Sequence, residues 1–526
     1  MHDKKHPTIF NPVTIVVIIF LAIFGAIIGM QLITTLGISA NTSVIGAIFA
    51  MIMARIPLKQ FINFQSIHTQ NLIQTAISAA TFGAASSLML PIGIPFVMGM
   101  PEMVVPLLIG VSLAMIVDAI LLYKFFDSKV FPAKETWPPG IATAEAIKAG
   151  DEGGKRAKIL GSGIAIGVLG SVLKIPMSAF GVAFIGNIWA LSMFGIGLLA
   201  SGYSTTLFGV DIEGLYIPHG FMIGAGIVAL IQVLFLILNK NKTKDNDSTE
   251  PNFTRSEKDI SQGFGYGSLA YFAISLLLAL TTGIYTEMSF LMLIAFLLFA
   301  MMAAFVHELI VGIAAMHAGW FPAFAVALIT LVIGIFIGFP KEALAILVGY
   351  SAATGVAFAD MGYDLKTGYM LRGNGQDPDF EKEGRKQQLY AALFAFFITI
   401  IVVFIAFQSY FDKGLVAPVD EVYAATIESG VSSSIAKNLI IWAIPGALIQ
   451  LIGGPKRQMG VLLSTGLLLV DPIAGWAVLA GIAIRLIVRK NNNNKDHPLM
   501  TIMAAGFIAG DAIYSFFSSV FKLGKT

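Results

Sequence analysis

The sequence specifies an all-α, polytopic integral membrane protein, and three observations carry that reading. Charged residues make up 12% of the 526 residues and hydrophobic ones 56%, whereas a soluble domain carries roughly 25% charge. Mean hydropathy is +0.82. Apolar runs long enough to enter or cross a bilayer recur from one end to the other. Glycine is abundant, at 53 residues, which suits close helix contact in lipid. The formal charge of +2 comes without a dense basic cluster, so nucleic acid is not an expected partner. The absence of cysteine excludes disulfides, thiolate catalysis and Cys-ligated metals.

The polar tail MHDKKHPTIFNP precedes the first apolar run, 13–30. That run lacks a small-residue cleavage site and reads as a retained helix, with His2 and His6 in a solvated tail. Apolar segments follow near 43–56, 70–90, 103–123, 157–173, 180–200 and 217–238. A polar linker, 240–262, then divides a first transmembrane half, 1–239, from a second, 263–526. The second half repeats the pattern near 266–283, 288–304, 320–339, 342–358, 388–407, 438–453, 459–474, 474–488 and 500–520. The total is about 14–16 membrane elements, several of them re-entrant, in two related halves. Lys and Arg collect at positions such as Lys4, Arg55, Lys129, Arg156, Arg385 and Arg489, which sets those loops and the N-terminus on the cytoplasmic side. The polar stretch 414–437 is expected outside, as a loop with a short surface helix.

Two polar interruptions stand out. WPPGIATAEAIKAG, 137–150, stops a helix at its prolines and restarts one. A restarted helix presents free N–H groups and a positive dipole end, which makes Pro139, Gly140, Thr143 and Glu145 candidates for substrate binding. DLKTGY, 364–369, lies in a long polar break, where irregular backbone would send Asp364 and Lys366 to separate partners, beside Thr367, Gly368 and Tyr369. The stretches echo each other weakly, since GGKRAKILG follows the first and EGRKQQLYA the second. Paired interruptions of this kind point to a transporter's central site. A solvated loop remains an alternative for each.

DLKTGY with its KQQ-type helix start resembles a signature of the oligopeptide transporter family, which includes the yellow-stripe-like metal-chelate carriers. PPGIATAEAI is similar to the family's aromatic-Pro-x-Gly stretch followed by Ala-Thr-Ala, and AAGFIAGDAI, 504–513, to its closing Gly-rich helix with an acidic residue, here Asp511. One departure is the stretch LRGNGQDPDFEKEG, 371–384, where family members have a short Gly-Ala-Thr-Pro-type turn. The resemblance implies a secondary transporter that imports short peptides or small metal chelates with protons. The chain is short for a eukaryotic member, which suggests a prokaryotic cell membrane, and the resemblance implies neither catalysis nor a bound cofactor. A homodimer is compatible with it.

Charge at bilayer depth costs roughly 2.5–3.5 kcal/mol and asks for a role or a partner. The pair His307–Glu308 lies between apolar runs, and histidine titrates near neutral pH, so the pair is the first candidate for ion coupling, with Asp511 as a second. Asp118, six residues before Lys124, and Arg485, before Arg489, are expected near the interface, and Asp471 before Pro472 as a helix cap. Alternatives from other classes are an intramembrane metalloenzyme using His307 and Glu308, which lacks the second histidine of H-E-x-x-H, and a channel. No P-loop is present, so energy would come from a gradient.

Overall fold

The computed structural model describes residues 5–37, 42–57, 59–238, 253–430, 432–492 and 498–523. His2, Lys4 and most of the expected linker lie outside the described residues. Within them the chain is helical throughout, with one isolated bridge between Phe126 and Phe131 as its only β pairing. Eleven described helices are long and apolar enough to cross a membrane, and four shorter apolar ones accompany them. Their outward faces carry large apolar side chains such as Phe20, Leu291, Ile405 and Ile452, as a lipid-facing surface requires.

Two 31-residue elements, 67–97 and 341–371, are buried along their whole apolar length. Both are interrupted. In the first, Gly83–Met89 winds as a π turn between the helices Ile67–Phe82 and Leu90–Val97, ahead of Pro91 and Pro95. In the second, Lys341–Ala353 and Val356–Leu371 are separated at Thr354 and Gly355, and Gly355 has φ 88°. A side chain would strain that backbone, so glycine fits it.

The last four helices of each half pair crosswise. Gly154–Val172 lies on Pro498–Leu523, and Met177–Ala183 on Pro472–Asn491. Ile188–Phe208 lies on Met459–Leu469, and Ile217–Leu238 on Ser433–Arg457. Glycines set the separation. A Cβ on Gly224 would fall 1.8 Å from the Ala443 carbonyl oxygen, and one on Gly446 would fall 2.1 Å from that of Phe221. Gly197 and Gly466, and Gly167 and Gly510, make equivalent crossings. Dispersion between near-touching backbones replaces the hydrophobic drive that lipid removes.

The structure refines several expectations. The helix Glu257–Thr281 begins inside the expected linker, because Ser256 and Asp259 form a capping box. The helix Pro418–Ser429 is exposed on one face, at Glu421, Val422 and Glu428, and packed on the other, where Asp420 and Tyr423 are buried and the Tyr423 hydroxyl donates to the Phe324 carbonyl at 2.8 Å. Arg485 is held by protein, 6% exposed, and donates to the Ala183 and Gly186 carbonyls at 3.2 and 2.6 Å, closing the end of a short helix. Asp471 caps its helix as expected, accepting from the Ala474 N–H at 2.9 Å.

His6 is also not solvated. It is 6% exposed, its ring lies 5.2 Å from that of His68 and 5.1 Å from that of Phe380, and the Ile9 N–H donates to Gln387 Oε1 at 3.1 Å. Burial pushes the His6 imidazole down to about 4 from 6.5. The undocked ring accepts a proton that the docked ring refuses. Docking therefore weakens as pH falls from about 6.5 to about 4, by about 3 kcal/mol in total, and no further below. Thiol labelling of Thr8→Cys in this cysteine-free chain should accelerate between about pH 7.5 and pH 5 beyond the intrinsic pH effect. The same variant carrying His6→Phe gives that intrinsic effect, and equal ratios in the two would contradict the account.

Candidate functional site

DLKTGY is helical and not irregular. It occupies the helix Val356–Leu371, and Asp364, Lys366, Thr367 and Tyr369 are all buried. Successive residues on a regular helix face different directions, and each direction here is filled by protein. Asp364 accepts a hydrogen bond from the Gln74 amide. The Lys366 ammonium donates to the Ala133 carbonyl at 2.8 Å and sits 5.5 Å from the Tyr369 ring centre. Thr367 donates to the Gly140 carbonyl at 3.1 Å. A Cβ on Gly368 would fall 2.1 Å from Gln388 Oε1 and 2.3 Å from Arg372 Nη1, so this glycine makes room for both groups.

Arg372 belongs to the stretch that replaces the short family turn, and Gln388 to the KQQ helix start just beyond it. Arg372 grips Glu381 through two bonds of 2.8 and 3.0 Å and donates to Gln388 at 2.8 Å, and Arg385 lies 3.3 Å from the same carboxylate. All are buried. The 371–384 stretch is thus anchored by a bidentate pair and is not a loose gate.

The Pro-Pro-Gly stretch packs directly on this helix. A Cβ on Gly140 would fall 2.5 Å from the Tyr363 carbonyl oxygen. The restarted helix runs Pro138–Glu152, but it does not present free donors. Pro138 and Pro139 have no N–H. The N–H groups of Gly140 and Ile141 both donate to the Trp137 carbonyl, at 2.9 and 3.2 Å. Thr143 bonds back to the Pro139 carbonyl at 2.9 Å, and Glu145 is ion-paired with Arg156. Neither is available to a ligand in this arrangement.

A cavity of about 480 Å³ lies between the two interrupted elements, within the ~300–1,000 Å³ of ordinary small-molecule sites. Phe82 lines it from the end of the helix Ile67–Phe82 and Ser86 from the π turn, Val356 and Tyr363 from beyond the Gly355 break, and Pro138, Pro139 and Ala142 from the restarted helix. The turn Gly319–Trp320–Phe321 closes one wall. Of the expected binding residues only Pro139 is among those lining it; Gly140, Thr143, Glu145, Asp364, Lys366, Thr367, Gly368 and Tyr369 stand behind the wall. Among the described residues, no Asp, Glu, Lys, Arg or His side chain lines it. Asp511 comes close. It accepts from the Ser171 hydroxyl at 2.6 Å and from the Ser178 N–H at 2.8 Å, and Ser178 and Ala512 are wall residues.

The acidic group nearest the second interruption surrounds Glu308. His307 and Glu308 are well inside the helix Phe290–Ala318, at 0% and 2% exposure, and not at a headgroup-facing end. The Tyr271 hydroxyl contacts both Glu308 and Asp118, the latter at 2.7 Å. Asp118 is fully buried, and its second oxygen accepts the Gly355 N–H at 2.7 Å. A hydroxyl has one proton to donate, so its two carboxyl contacts call for a proton held by Asp118 or Glu308. His307 turns the other way and bonds the Ser351 carbonyl through Nδ1. The expected His–Glu pair is therefore an Asp–Tyr–Glu cluster. Sequence reading missed Tyr271 and assigned Asp118 to the interface because Lys124 is near it in sequence.

A family model described as OPT oligopeptide transporter protein matches residues 10–237 and 216–522. The chain belongs to the oligopeptide transporter family. No curated relative matches it. Membership makes it a transporter and not an enzyme, which sets aside the metalloenzyme alternative. It is a multi-pass membrane protein that handles a small-molecule substrate of the oligopeptide or metal-chelate class.

The position of the transporter's cavity wall gives a direct test. Ala142 lines the cavity and Thr143 does not. Bulky thiol reagents should block uptake by Ala142→Cys and leave Thr143→Cys active or unlabelled. The reverse result in uptake assays would move the pathway to the other face of this helix.

Proposed function

We propose that this chain is a proton-coupled secondary carrier that imports a short peptide or small metal chelate across a prokaryotic cell membrane. One observation carries the coupling: Asp118 holds the Gly355 N–H while sharing Tyr271 with Glu308, and the residue after Gly355 lines the cavity. A proton moving between the two carboxyls changes how strongly Asp118 accepts that N–H. The helix break then relaxes or tightens, and the cavity wall moves with it. Glu308 and Asp118 are the proton carriers in this reading, and His307 fixes the neighbouring Ser351 carbonyl at the end of the preceding helix.

The wall bears on cargo. Aromatic faces, small residues and the hydroxyls of Ser86, Ser178 and Tyr363 line it, with no acidic or basic side chain among the described residues. A cargo without net charge fits that environment best, because an unpaired charge would be desolvated there. A zwitterionic peptide or a charge-neutral chelate meets the condition, and a free polycarboxylate does not.

The crosswise pairing of the helices 154–238 with 433–523, and the two interrupted elements facing one cavity, support descent of both halves, 1–239 and 263–526, from one unit. Two such units rocking about a shared site give alternating access.

Glu308→Gln keeps size and hydrogen bonding but cannot titrate. In proteoliposomes it should lose accumulation driven by a pH gradient and keep exchange of substrate across the membrane. A Gln variant that still concentrates substrate under the gradient would remove Glu308 from coupling.

A further inference from the structure

A second polar cluster lies away from Glu308 and takes no part in the proposed coupling. The helix Ile67–Phe82 carries a strip of Asn71, Gln74 and Ser78, spaced three and four residues apart and each 0% exposed. It faces Asp360 and Asp364, one turn apart on the helix Val356–Leu371, at 2% and 0% exposure. Ser78 donates to Asp360 Oδ1 at 2.6 Å and lies 2.9 Å from the Ser43 hydroxyl. The Gln74 amide nitrogen donates to Asp364 Oδ1. No Lys, Arg or His forms an ion pair with either carboxyl among the described residues.

What remains is three oxygens and one amide nitrogen. Asp364 Oδ2, Gln74 Oε1 and both ends of the Asn71 amide, Oδ1 and Nδ2, have no hydrogen-bond partner among the described residues, and all are fully buried. Such acceptors are costly at this depth unless something answers them. A proton can answer Asp364 Oδ2 but not the amide oxygens, which do not protonate. A water molecule can donate to two of the three but leaves the carboxylate charge unpaired. A cation answers the three oxygens at once, where the alternative needs both a proton on Asp364 and a water. The ligands are hard oxygens without nitrogen or sulfur donors, which excludes soft metals. With the neighbouring Asp360 protonated, one carboxylate and two amide oxygens carry a single negative charge, which a monovalent ion balances. Ca²⁺ asks for more oxygens, and Mg²⁺ keeps waters for which a fully buried strip has little space.

We propose that Asn71, Gln74 and Asp364, with Asp360 and Ser78 beside them, form a site for a dehydrated alkali cation of the Na⁺ type. The ion joins the helix that leads into the π turn to the helix that follows the Gly355 break. Its occupancy therefore ties together the two elements that frame the cavity. The site is independent of the cargo and of the coupling proton, and its test reads binding and not transport.

The purified protein in detergent is heated in choline chloride and in NaCl, LiCl or KCl at matched ionic strength. Retention of radioactive sodium is measured in parallel. Sodium should raise the unfolding midpoint saturably, with potassium weaker. The effect and the retained sodium should vanish in Asp364→Asn. Asn71→Ala and Gln74→Ala, which change no charge, should each shift the half-effective sodium concentration upward by about tenfold, the worth of one ligand. These two decide the matter if Asp364→Asn does not fold. Equal midpoints in sodium and choline with no retained sodium would overturn the proposal, as would a sodium effect that survives in all three variants. Stabilisation by Ca²⁺ or Mg²⁺ without Na⁺, or by acid alone in choline, would overturn the alkali assignment. Loss of transport with sodium binding intact would count against the carrier reading and not against this site.

Discussion

The bond from the Gly355 N–H to the Asp118 carboxylate, at 2.7 Å, is the contact on which the second half of the site depends. A helix broken inside a membrane protein exposes backbone groups that lipid cannot satisfy. Asp118, from a different helix, supplies the acceptor, and the chain can leave the helix at Thr354 and Gly355 and re-enter it at Val356. The same carboxyl is therefore tied to two things at once, the backbone break and the proton shared through Tyr271 with Glu308. The first half meets the same constraint differently. Its π turn at Gly83–Met89 keeps the ladder closed by shifting each bond one residue, and needs no outside acceptor. The two interruptions thus differ chemically although they frame one cavity.

Around these breaks the protein is held by short-range contact between backbones. Glycines on both partners let the crosswise helices approach until carbonyls and α-carbons touch, as at Gly224 and Gly446. The DLKTGY helix is a strut within that packing. Asp364 reaches helix 67–82, Lys366 the loop at Ala133, Thr367 the Pro-Pro-Gly turn, and Gly368 seats Arg372 and Gln388. The residues carry polar chemistry because a buried strut that touches several irregular backbones must satisfy their carbonyls. Tyr363, one residue before the motif, is the one that reaches the cavity.

Hydropathy and the resemblance of DLKTGY, PPGIATAEAI and AAGFIAGDAI revealed the membrane class, the approximate spans and the family, because each is written in contiguous residues. The site was harder to read. Asp118 and Arg485 sit close to basic residues in sequence, which hides their partners; both are buried by helices distant in sequence. Tyr271, Gln74 and Ser78 are single polar residues in long apolar windows and have meaning only beside their partners. Gln74 and Asp364 are 290 positions apart, a pairing that no periodicity announces. DLKTGY was read as irregular backbone because its charges are adjacent. The break itself lies ten residues earlier, at Thr354–Gly355, where the only local signal is an ordinary glycine.

The central claim is that the π turn of one half and the Gly355 break of the other face a single pathway. In the cysteine-free chain, Ser86→Cys and Val356→Cys place one thiol on each. Labelling with a membrane-impermeant thiol reagent in right-side-out and inside-out vesicles, with and without cargo, measures access to both. The account predicts that each thiol reacts from both sides as the carrier turns over, and that the same cargo concentration protects both. Reaction from one side only, or protection of the two at different concentrations, would contradict it.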